Sequence, residues 1–315
     1  MLTVALSLFL AITPAITRGP AGNMVVWEQD SRIYANEVLV APESSSAQST
    51  PDVAAFGDFF FVVWREGLRA YGRILYDGRP LGPITDLGDA YQQPSVAADH
   101  EGFVVALQQQ RGINILHVSE IGFVTREEPM STSYLTPPPG PAVACNGANC
   151  ATVWLESIAP NGCTVHSCNI VAEVRAKRLD GQPVDIASVS PGVNRLAIAV
   201  KPNGDFAVAW SDDATTSFAL IEGDRVIRSG AALFGTRPSI DFDGVSFIAA
   251  RNAGDDVIGT RIGSEGDFSD FVIATSDAAE RNADVAMPFV VYEQEGRVIV
   301  RDLTSPFRRR TERIR

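Results

Sequence analysis

Apolar and polar positions alternate in short runs along this chain, and one run of fixed design keeps returning. It opens with a proline, places an apolar residue two positions on, and crosses a turn of Gly, Asn or Asp. It then closes with an apolar stretch ending at tryptophan or a residue in its place. The copies are "PAITRGPAGNMVVW" (14–27), "PDVAAFGDFFFVVW" (51–64), "PSVAADHEGFVVAL" (94–107), "PAVACNGANCATVW" (141–154) and "PSIDFDGVSFIAAR" (238–251). "LAIAVKPNGDFAVAW" (196–210) is one residue longer, and "ADVAMPFVVY" (283–292) has a shortened turn. All four tryptophans, Trp27, Trp64, Trp154 and Trp210, fall at one position of this unit.

Each unit reads as a β-hairpin, because proline suits a strand start and the apolar runs are bounded by turn residues. The second strand is apolar on both faces. Val62 and Trp64 point one way, Phe61 and Val63 the other, so both faces must be covered. A third strand is predicted in "RIYANEV", "RAYGRIL", "INILHV", "AEVRAKRL", "SFALIE", "VIGTRI" and "RVIVRDL". A fourth is predicted in "GPITDL", "GFVTRE", "VDIASV", "DRVIRS" and "SDFVIAT". Units starting 37 to 55 residues apart, each of four short strands, predict an all-β propeller, with each blade packed between two neighbours. The expected count is seven four-stranded blades, with six as the alternative. The tryptophans then pack between blades and do not form an aromatic ligand box.

The expected organisation is an apolar segment at 1–13, a propeller at 14–305 and an Arg-rich tail at 306–315. The last unit lacks a clear outer strand, and "TVALSLFL" can supply it, closing the ring by pairing N- and C-terminal strands. The same segment also resembles the apolar stretch of a signal peptide, without a basic flank or a clean cleavage site.

The pattern P-x-V-A…V-V-x-W followed by a Gly-turn strand resembles the repeats of secreted bacterial β-propeller proteins, and distantly the architecture of WD-repeat propellers. There is no Trp-Asp pair at the WD-repeat position. The sialidase Asp-box is echoed only by "SIDFDGVSF", without its Thr-Trp.

The net charge of −12 disfavours nucleic acid as a partner, and no apolar run is long enough for a membrane helix. Four cysteines form two C-x4-C pairs, Cys145/Cys150 and Cys163/Cys168, each flanking a predicted turn of the fourth unit. Residues facing each other across a hairpin suit a disulfide, which implies an oxidising compartment; free thiols and a four-Cys zinc site are the alternatives. His100, His117 and His166 are spread over loops of opposite faces and a strand, so they predict no metal site. No phosphate loop, dinucleotide fingerprint or calcium loop is present, and no cofactor is implied.

Acidic residues follow the second strand in six of the seven units, among them Glu28, Glu66, Glu156, Asp212 and Glu293. Arg65, Arg111 and Arg251 interrupt the series. In a closed disc these acids share one face, so they are read either as ordinary solvated turns or as a ligand-binding ring around the channel mouth. The ring would favour a cationic ligand. The expected function is a secreted, periplasmic or cell-surface binding module, monomeric and non-catalytic, that recognises a protein or glycan through loops on one face. A carbohydrate-active enzyme (glycoside hydrolase or lyase) using paired carboxylates, or a structural part of a larger surface protein, are the alternatives.

Overall fold

The structure, a computed structural model, describes residues 13–110, 112–131, 139–158, 171–189, 192–263, 266–276, 278–304 and 312–313. These residues form seven four-stranded antiparallel sheets and no helix. Strands within each sheet follow chain order, so every sheet is a meander and the seven sheets are the blades of a propeller. The innermost strands are Ala15–Gly19, Gln48–Phe56, Ser95–Ala98, Ala142–Asn146, Arg195–Val200, Thr236–Phe242 and Glu280–Ala286.

The recurring hairpin is the inner pair of each blade. Register places the residue after each proline opposite the residue before the tryptophan position. The pairs are Ala15 with Val26, Asp52 with Val63, Ser95 with Ala106, Ala142 with Val153 and Ser239 with Ala250. The longer and shorter copies keep the relation, through Ala197 with Ala209 and Asp284 with Val291. Inner strands therefore start, and second strands end, on the same face of the disc.

There is no single core. Buried apolar side chains divide into seven clusters, one for each seam between neighbouring blades. The double-sided second strands explain this. Val62 and Trp64 enter the seam between blades one and two, while Phe61 and Val63 enter the seam between blades two and three. Trp27 packs between blades seven and one, and Trp210 between blades four and five. Trp64 and Trp154 are among the largest fully buried side chains. Phe61 lies against Gly72 on the adjoining strand, where a Cβ would stand 2.2 Å from the ring. Gly259 makes the same room for Phe271.

Two expectations change. The stretch expected as one strand in "RIYANEV" is a hairpin, Arg32–Ala35 pairing with Val38–Leu39. Its turn residues Asn36 and Glu37 both have positive φ, as a two-residue turn between right-twisted strands requires. The Asn36 amide fixes it by accepting from the Val25 N–H and donating to the Asn23 carbonyl. The fourth position of blade seven is held by Glu312–Arg313, within the segment expected as a tail. The closing role expected for residues 1–13 falls on residues 1–12, outside the described residues.

Cys145 and Cys150 are opposite each other in the register of blade four and form a disulfide, with Cα atoms 4.1 Å apart. Cys163 and Cys168 lie outside the described residues. No helix among the described residues is long and apolar enough to cross a membrane.

Candidate functional site

The starts of the seven inner strands converge on a cavity of about 510 Å³ at one mouth of the central channel. Every blade contributes to it, through Thr13, Thr50, Gln93, Gly140, Arg195, Arg237 and Asn282 and the residues that follow them. A belt of hydrogen bonds runs just below this rim from one blade to the next. In four blades the side chain after the proline position accepts from the backbone N–H two residues past the proline position of the next blade. Asp52 accepts from Val96 at 2.9 Å, Ser95 from Val143 at 3.2 Å, Ser239 from Val285 at 3.2 Å and Asp284 from Ile16 at 2.8 Å. Ser239 also donates to Asp284 Oδ1. Deeper in the channel, Asp241 accepts from the Met287 N–H at 2.7 Å.

These carboxylates are pressed toward their neutral forms. Burial pushes Asp52 up to about 7, the charge of Asp284 adds to the rise, and N–H donors and Arg195 hold it back. Burial likewise raises Asp284, and raises Asp241 to about 6. Asp52 and Asp284 are part of the cavity wall.

Above the belt stand three guanidinium groups. Arg65 of blade two donates to the Tyr91 carbonyl at 2.8 Å. Arg195 of blade five reaches past blade four to Gln93 Oε1. Gly140, the blade-four residue at this level, has no room for a side chain, since a Cβ would lie 2.3 Å from the Gln93 carbonyl oxygen. Arg237 of blade six donates to Asn282 Oδ1. Its own φ is positive, at a register shift that inserts an extra residue before Ser239, and bulges of this kind redirect side chains. The Ser211 hydroxyl holds that backbone N–H at 3.1 Å.

None of the five acids expected to ring this mouth is among the residues that line the cavity. Each meets a partner within the fold. Glu66 accepts from the Trp64 indole N–H at 3.0 Å and from Ser44 and Gln48 at 3.1 Å. Glu156 accepts from the Trp154 indole at 3.2 Å and pairs with Arg175 at 2.7 Å. In blades two and four the acid two residues after the tryptophan thus shares its face of the strand and receives its indole N–H. Trp27 makes the same bond to Gln29 at 3.4 Å. Glu28 accepts from the Thr50 N–H at 3.3 Å, and burial raises its pKa against that bond and against Arg65. Asp212 accepts from the N–H groups of Ala214 and Thr215, which lowers its pKa. Glu293 accepts from the Asn282 amide at 3.2 Å. Glu28 and Glu293 flank the mouth behind Thr50 and Asn282; the other three are tied to their own turns, tryptophans or crossovers.

Of the interrupting arginines, Arg65 belongs to the mouth and Arg251 is buried, paired with Asp270 at 2.6 Å. Arg111 lies outside the described residues, as does His166. His117 is in a strand beside Arg126, and His100 is in a first-turn loop. No group of three or more His, Cys, Asp or Glu able to hold a metal ion occurs among the described residues.

The chain is similar over nearly its whole length to solved propellers. The Dos1 propeller superposes with a TM-score of 0.57 at 11% identity, covering 94% of this chain and 82% of that one. Virginiamycin B lyase from Staphylococcus aureus gives 0.56 at 12% identity, covering 93% and 95%. The propeller domain of Cps50 (Swd1) from Myceliophteria thermophila gives 0.52 at 10% identity, covering 85% and 87%. At these identities the likeness concerns the fold. No protein-family model matches the chain, and no curated protein matches it in sequence.

Proposed function

We propose that the protein is a non-catalytic binding module, secreted or displayed at a cell surface, that recognises a protein or glycan ligand at this channel mouth. One observation carries the reading. The starts of seven inner strands, one per blade, build a concave site whose carboxylates, Asp52 and Asp284, are already engaged in blade-to-blade hydrogen bonds. Among the described residues, neither histidine nor cysteine lines the cavity to pair with Ser95 or Ser239 as a base or nucleophile. The Cys145–Cys150 disulfide supports an oxidising compartment. The repeat pattern's likeness to secreted bacterial propellers points the same way.

A second reading is a carbohydrate-active enzyme. It is favoured by Asp52, whose raised pKa in a concave site suits a general acid. Incubating the purified protein with a glycan panel separates the two. The binding reading expects retention of a ligand with no change in its length; new reducing ends or unsaturated products would establish the enzyme.

A further inference from the structure

Resting on the reading of the mouth as a ligand site, we propose that it binds the uronate residue of an acidic glycan, with Arg195 and Arg237 holding the sugar carboxylate. In a chain of net charge −12, this mouth is an exception to the prevailing sign. Several other arginines stand in ion pairs: Arg69 with Asp86, Arg73 with Glu43, Arg175 with Glu156 and Arg251 with Asp270. At the mouth, Arg65, Arg195 and Arg237 hydrogen-bond to neutral oxygens, those of Tyr91, Gln93 and Asn282, with the carboxylates of Glu28, of Asp52 and Asp284, and of Glu293 near them in turn. Among the described residues none of the three is in an ion pair with a carboxylate.

Arg195 and Arg237 lie on adjacent blades and raise each other's electrostatic energy. Burial, with the charge of Arg195 added, lowers the pKa of Arg237, and the charge of Glu293 opposes the fall. A bound carboxylate relieves both, because a planar guanidinium matches a carboxylate in a two-bond fork. Blade two lies across the ring from blades five and six, so Arg65 closes the opposite side of the same cavity.

The nearby carboxylates are already engaged: Asp52 and Asp284 accept the belt N–H groups and are pushed toward protonation by burial, while Glu28 accepts the Thr50 N–H and Glu293 the Asn282 amide. Two further features favour a sugar acid over a simple anion. A cavity of about 510 Å³ falls in the range of sites for small organic ligands and far exceeds what one oxyanion fills. The amides of Gln92 and Gln93, on the same rim, carry both donors and acceptors for hydroxyl groups.

The test uses the purified full chain and calorimetric titration with D-galacturonate, D-glucuronate, their oligosaccharides, glucose and inorganic phosphate. At least one uronate should bind about tenfold more tightly than glucose or phosphate. Arg195→Gln with Arg237→Gln should weaken it by about tenfold or more, while Arg18→Gln on the other face leaves it unchanged. Arg237→Gln alone gives the same direction if the double variant melts early. Equal affinity for glucose, equal affinity for phosphate, or full retention of uronate binding in the folded variants would overturn the inference. So would no binding to any probe. A neutral glycan or a protein ligand retained by the double variant would sink the uronate assignment and keep the binding module. Cleavage of a bound oligouronide would keep the uronate site and sink the non-catalytic reading.

Discussion

Asp284 of blade seven accepts the backbone N–H of Ile16 of blade one at 2.8 Å, across 268 positions of sequence. It is the same bond that Asp52 makes to Val96 between blades two and three, here spanning the seam where first and last blades meet. Asp284→Ala leaves the Ile16 N–H and the Ser239 hydroxyl without their acceptor. The expected loss is about 2 kcal/mol in urea unfolding, since an orphaned buried donor forfeits its solvation. A loss near zero would mean that the apolar seam alone closes the ring.

The channel carboxylates make stability depend on pH. Asp52 and Asp241 titrate near 7 and near 6 in the folded chain, against 3.8 for an ordinary aspartate. The folded state therefore binds more protons than the unfolded state between these values, so stability falls as pH rises from about 4 to about 7 and then levels. The groups facing Asp52 are Asp284 and Arg195, and those facing Asp241 are Asp284 and Asp243. Melting temperatures measured from pH 5 to pH 8 should decline, and Asp52→Asn should flatten the upper half of that decline. A rise over this range contradicts the burial of these groups.

Trp64→Ala should cost about 3–5 kcal/mol, because it empties the seam between blades one and two. Glu66→Ala should cost about 1–3 kcal/mol by stranding the Trp64 indole, Gln48 and Ser44, and Glu66→Gln should cost less because it keeps an acceptor. Chemical denaturation of the three variants gives the order directly. Equal losses for Glu66→Ala and Glu66→Gln would show that the charge, not the hydrogen bond, matters there.

The disulfide closes a short hairpin, so its contribution is modest. Replacing Cys145 and Cys150 together by alanine should lower stability by about 2 kcal/mol and leave the blade count intact. Peptide mapping under non-reducing conditions should recover the Cys145–Cys150 link; alkylation of both thiols in unreduced protein would remove it.

The blades were legible because their signal is periodic. Proline, turn and tryptophan recur at fixed spacing, and the double-sided apolar run at Phe61–Trp64 demands neighbours on both sides. The acid after tryptophan was visible as a pattern, but its purpose needed the strand geometry that puts Trp64 and Glu66 on one face. The mouth was hidden for the opposite reason. Its level is occupied by Thr13, Thr50, Gln93, Gly140, Arg195, Arg237 and Asn282, seven positions of differing chemistry that show no period. Arg65 was in view only as a break in the acid series. The usable signal was the column just before each proline, where side chains vary while the hairpin behind them does not. Hairpins such as Arg32–Leu39 escaped because a two-residue turn at Asn36 and Glu37 leaves no gap in the apolar pattern.

The cavity wall has one portion from each blade, and this makes whatever fills it a keystone. A molecule resting there touches the first residues of all seven inner strands at once, whereas each apolar seam joins only two sheets. Partial opening of any one seam must disturb the bound state, so occupancy opposes every local opening together. Amide exchange should then slow around the whole circle on ligand addition, in blades with no arginine at the rim as much as in those that carry one.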